Sequence, residues 1–124
     1  MKKATGLVLF WTPRVLSILF AIFISLFALD VFGEGYGFWE TLLALFIHLV
    51  PTYLVLIALA VAWRWEWVGA IIFCSLGLWY IVIAWGKFDA IAYLLISGPL
   101  FLIGGFFLLN WILRAKLKLV IDSD

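Results

Sequence analysis

FWETLLALFIHLVPTYLVLIALAVAWRWEW occupies residues 38–67. Between Glu40 and Arg64 it holds twenty-three residues without a formal charge, Thr41 to Trp63. At about 1.5 Å per residue a helix of that length crosses a hydrocarbon layer roughly 30 Å thick. Tryptophans bracket it: Trp39 stands at one end and Trp63, Trp65 and Trp67 at the other, where amphipathic rings favour the headgroup level. Inside the run lie His48 and Pro51, which a lipid-facing helix disfavours.

The rest of the chain repeats the pattern. Hydrophobic residues make up 69% of the 124 and charged residues 12%, with a mean hydropathy of +1.29. A soluble domain is roughly a quarter charged, so this composition calls for a lipid environment. The formal net charge of +1 argues against a nucleic-acid partner, which requires a concentrated basic face. One cysteine, Cys74, excludes an internal disulfide and a multi-cysteine metal site. The length leaves room for a single membrane domain, residues 1–124, and none for a separate catalytic unit.

Three further spans flank the first one read. Thr12-Pro13 resembles a helix start, because threonine caps and proline at the first helical position loses no hydrogen bond. The first span is therefore placed at Val15 to Phe32, the second at Thr41 to Trp63, the third at Val68 to Trp85 and the fourth at Ile91 to Leu113. A cleaved signal peptide is disfavoured, because Arg14 interrupts the apolar run and no small-x-small site follows Ala28. Ser17, Ala21, Ser25 and Ala28 form a small-residue stripe suited to close helix approach. Gly33, Gly35 and Gly37 make a tight first link, and such short links demand antiparallel neighbours. The expected fold is an all-α, up-down bundle of four transmembrane helices.

Lysine and arginine set the orientation. Of the eight, only Lys87 falls in an outer link, whereas Lys2, Lys3, Arg14, Arg64, Arg114, Lys116 and Lys118 fall on the other side. That asymmetry puts both termini in the cytoplasm of a plasma-membrane protein. Asp30, Glu34, Glu40 and Asp89 then make the outer face acidic. The tail from Arg114 extends the fourth span by a turn and presents Lys116 and Lys118 to anionic headgroups.

The polar residues within the spans are the candidate site. Counting from span centres, His48 lies about 6 Å, Ser97 about 7 Å, Tyr80 about 5 Å and Asp30 about 10 Å to the outer side of the midplane. Each helix thus contributes one group to a common layer. Pro51 and Pro99, as bend positions, leave the carbonyls of Ile47 and Leu95 without their usual donors. The layer is either a proton- or ligand-binding site around His48, partnered by Asp30 or Glu40, or a set of hydrogen bonds that pins the helices. Asn110 is placed near the cytoplasmic end, within reach of water or a neighbouring backbone. Trp39, Trp63, Arg64, Trp65, Glu66 and Trp67 read as interfacial anchors.

Phe38-Trp39-Glu40, Ile47-His48-Leu49 with Pro51, Trp63-Arg64-Trp65-Glu66-Trp67 with Gly69, and Tyr93-Leu94 with Ser97-Gly98-Pro99 resemble a family of small uncharacterised prokaryotic integral membrane proteins, a domain of unknown function. The resemblance covers most of residues 15–112, implies four membrane helices and supplies no activity. No nucleophile with a matched base, no paired metal ligands and no phosphate loop is present, so neither enzyme chemistry nor a cofactor is expected. The expected role is a structural or accessory membrane component that packs with itself, as a homo-oligomer, or within a larger complex. The alternative is a small proton-coupled transporter or channel using the layer around His48.

Overall fold

The computed structural model describes residues 2–87 and 90–122. Asp89, assigned above to the acidic outer face, lies outside the described residues. The chain is helical, with no strand among the described residues: α1 (Lys3–Ser25), a 3-10 segment (Leu26–Gly33), α2 (Phe38–His48), α3 (Val50–Arg64), α4 (Glu66–Ile83), α5 (Ala90–Ile112) and α6 (Arg114–Ile121). Three helical stretches are long and apolar enough to cross a membrane, Lys3–Gly33, Glu66–Ile83 and Ala90–Ile112. A fourth is obtained if α2 and α3, bent by 42° at their junction, count as one span.

The bend has a local cause. Pro51 has no amide hydrogen and crowds the preceding turn. The α-helix stops at His48, Leu49 takes φ −88° and ψ −2°, and α3 restarts with Pro51 in its first turn, where the missing donor costs nothing. Pro99, by contrast, sits inside an unbroken α5.

Helix α1 packs against α3 and α5, and α4 packs against the same two. The core runs along these contacts through Phe20, Ala21, Ile24, Val55, Ala58, Phe73, Ile103 and Phe107. The rings of Phe73 and Phe107 stack at 5.7 Å and carry no exposed surface. Small residues set how near the backbones come. A Cβ at Gly104 would lie 2.7 Å from Cys74 Sγ and 3.2 Å from the Ala70 carbonyl, so α5 crosses α4 where only hydrogen fits. At Gly69 it would lie 2.1 Å from the Ala62 Cβ, across the turn from α3 to α4. Of the first-span stripe, Ser17, Ala21 and Ala28 are buried.

Two boundaries differ from expectation. Helix α1 begins at Lys3 and runs straight through Pro13, so Thr12-Pro13 is not its start. The Thr12 hydroxyl, instead of capping, donates back to the Val8 carbonyl at 2.5 Å. The tail does not prolong the fourth span: α5 ends at Ile112 and α6 starts afresh after Leu113, packing against α1. The fit is close, since Leu117 is buried and a Cβ at Gly6 would lie 3.0 Å from Val120.

Candidate functional site

The residues expected in one outer layer are not hydrogen-bonded to one another among the described residues. Asp30 is exposed on the 3-10 segment. Ser97 is buried and donates to the Gly77 carbonyl at 2.8 Å, tying α5 to α4. Tyr80 packs edge-on against Tyr93 at 6.0 Å, and the Tyr93 hydroxyl donates to the Ala84 carbonyl. His48 is exposed, and its Nδ1 lies 2.7 Å from the Ala44 carbonyl in its own helix. It therefore joins neither Asp30 nor Ser97. Helical depth, read from spacing, does not fix the direction in which a side chain points.

His48 and Tyr80 do share a cavity of about 350 Å³. Its floor is Phe20, Ile24, Val55 and Leu100, all buried. Its rim is Phe27, Leu54, Trp79 and Ile83, all exposed. Pro51 also lines it. Helix α2 contributes His48 alone and has no buried residue of its own.

The strongest polar constellation lies at the other end and was missed by the sequence reading. Arg14, counted above among the cytoplasmic charges, is wholly buried. Its guanidinium donates to the Phe10 carbonyl at 2.6 Å, the Trp63 carbonyl at 3.2 Å and Asn110 Oδ1 at 3.3 Å, and approaches Glu66 Oε1 at 3.6 Å. It also lies 3.7 Å above the Phe10 ring and 5.1 Å from that of Trp63, so aromatic faces supply attraction where hydrogen bonds do not reach. Its Nε has no hydrogen-bond partner among the described residues. Glu66, read as an interfacial anchor, is thus an ion-pair partner within the bundle, whereas Arg64, Trp39, Trp65 and Trp67 are exposed.

Asn110 completes the cluster. Its Nδ2 donates at 2.8 Å to the Leu9 carbonyl and at 2.8 Å to Phe106 in its own helix. Leu9 is four residues before Pro13, so its carbonyl is the one proline deprives of a backbone donor. Asn110 replaces that donor from α5, which is how Pro13 sits inside α1 without breaking it. Asn110 reaches a neighbouring backbone, as one of the two expected outcomes had it, and it is buried. The signal was present: a proline in an apolar helix needs a donor, and a lone amide in another helix needs acceptors.

Among the described residues no group of three His, Cys, Asp or Glu side chains comes together in a way that would hold a metal ion. The fold defines a helical protein with three to four apolar helices able to cross a membrane. The chain belongs to the family described as domain of unknown function DUF7670, whose model matches residues 1–119. No curated protein and no solved structure matches it.

Proposed function

We propose that this protein is a plasma-membrane component built as an up-down bundle of four spans, with α2 and α3 together forming the second and both termini in the cytoplasm. Its role is structural or accessory and non-enzymatic: it packs with a second copy or within a larger membrane complex. The observation that carries this reading is where the intramembrane polar groups are used. Arg14, Asn110 and Glu66 join α1, α4 and α5 at one end, and Ser97 joins α5 to α4 towards the other. Groups committed to helix–helix contacts hold a scaffold together. Withdrawing Arg14 into the bundle still leaves Lys2, Lys3, Arg64, Arg114, Lys116 and Lys118 facing Lys87 alone, which supports the orientation.

Proton-coupled transport is the second reading, and His48 beside a cavity is what favours it. Weighing against it, among the described residues no carboxylate lines that cavity, so a proton arriving at His48 has no acidic relay. The test is photocrosslinking in native membranes from a benzophenone amino acid placed at Leu43 on α2, which has no buried residue. A discrete adduct with a second copy or with one other protein is the expected result. Lipid adducts alone, combined with His48-dependent proton flux in liposomes, would replace the accessory reading by the transport one.

A further inference from the structure

We propose that the cavity between α1, α3, α4 and α5 binds a membrane-soluble quinol, an aromatic ring bearing two opposed hydroxyls on an apolar tail. The site goes beyond the packing role proposed above and does not depend on it.

The hollow follows from the break at Leu49. A 42° bend carries α2 away from the bundle, and the space beside the junction stays open between a buried floor and an exposed rim. Its volume, about 350 Å³, falls within the range of small-molecule pockets. Phe20, Phe27, Trp79 and Tyr80 supply aromatic surface on several sides, which suits a flat ring in stacked or edge-on contact. With no charged side chain among the described residues of the lining, a phosphate, carboxylate or ammonium group would find no partner among them, and burying it unpaired is costly.

Two residues of the lining, His48 and Tyr80, carry polar groups that would specify the head. A carbonyl only accepts, so the contact of His48 Nδ1 with Ala44 places the proton on Nδ1. In the neutral imidazole Nε2 is left as an acceptor and asks for an O–H donor. The Tyr80 hydroxyl makes no hydrogen bond among the described residues and can donate or accept. An acyl chain matches neither group, and a molecule with a single hydroxyl matches one. A quinol, with hydroxyls at opposite edges of one ring, offers a donor to Nε2 and a second oxygen to Tyr80. The oxidised quinone has no O–H for Nε2.

The test uses the full chain in phosphatidylcholine nanodiscs, titrated with a decyl-tailed benzoquinol and separately with its quinone, following tryptophan fluorescence. Saturable quenching at one quinol per chain is expected, lost in Trp79→Phe, with the quinol binding about 3- to 10-fold more tightly than the quinone. His48→Leu and Tyr80→Phe should each weaken quinol binding by about the same factor, one hydrogen bond apiece. Leu100→Trp fills the floor and should abolish binding. Circular dichroism and monodisperse elution report whether that variant folds, and the His48 and Tyr80 variants test the site if it does not. Quenching that only follows partition into lipid, or identical affinities for wild type, His48→Leu and Tyr80→Phe, would overturn the proposal. So would a phospholipid retained in the cavity that quinol fails to displace in native mass spectrometry.

Discussion

Replacing Asn110 with leucine removes an amide of nearly the same size and isolates its role opposite Pro13. Two contacts between helices disappear: the donation to Leu9 at 2.8 Å and the longer acceptance from Arg14 at 3.3 Å. The bond to Phe106 lies within α5 and matters little to helix association. Hydrogen bonds between membrane helices average about 0.6 kcal/mol and reach about 1.7 kcal/mol. The Leu9 carbonyl belongs at the upper end, because proline leaves it no backbone alternative. The expected destabilisation is about 1–3 kcal/mol. Pro13→Ala restores an amide hydrogen four residues after Leu9, so in that background Asn110→Leu should cost about 0.6–1.7 kcal/mol less. The assay is reversible unfolding in mixed micelles with increasing SDS, followed by circular dichroism for both singles and the double. Costs that add to within about 0.3 kcal/mol would show that Asn110 does not substitute for the missing donor, and the account of Pro13 would fall.

Arg14→Leu should be the most damaging single change in the Arg14–Asn110–Glu66 cluster, at about 3 kcal/mol, because it strands Glu66 within the bundle. Adding Glu66→Gln should return part of that loss, as a shift in the SDS midpoint would register. Gly104→Ala and Gly105→Ala form a matched pair one residue apart. The first pushes a methyl into Cys74 and the Ala70 backbone and should cost about 1–3 kcal/mol. The second meets nothing within 4 Å and should be neutral or slightly stabilising; equal midpoints for the two would contradict the close α4–α5 crossing.

Apolar runs, link glycines and tryptophans at the ends of the runs made the helices legible, because each is a local property of the chain. The break in the second span was foreshadowed by Pro51 for the same reason. The polar clusters were not legible, since they depend on which way side chains point and on partners far along the sequence. Arg14 and Asn110 are 96 positions apart. Arg14 follows two lysines and a short apolar patch, so it reads as one more cytoplasmic charge, and Thr12-Pro13 reads as a start. The donor requirement placed on Pro51 and Pro99, had it been placed on Pro13 too, would have called for an amide such as Asn110. His48 failed in the opposite direction: it looked like the centre of a layer, yet a carbonyl one turn back in its own helix holds it.

The two ends of the molecule are therefore built for different behaviour. At one end a buried cation, an amide and a helix crossing with no spare volume lock α1, α4 and α5 together. At the other, α2 has no buried residue and leans on the 3-10 segment and the start of α3. Its internal hydrogen bonds are intact, but few apolar contacts oppose its detachment, and local opening is easiest where burial is least. The break at Leu49 also interrupts the helix that would otherwise couple α2 to α3. Amide exchange in α2 should thus run well ahead of exchange in α4 and α5, measured in nanodiscs by mass spectrometry. Because His48 ends α2 at the rim of the cavity, a ligand bridging His48 to Tyr80 should slow α2 exchange and leave α5 unchanged. Equal protection of α2 and α5 in the ligand-free protein would mean that α2 is held by more than the contacts seen here.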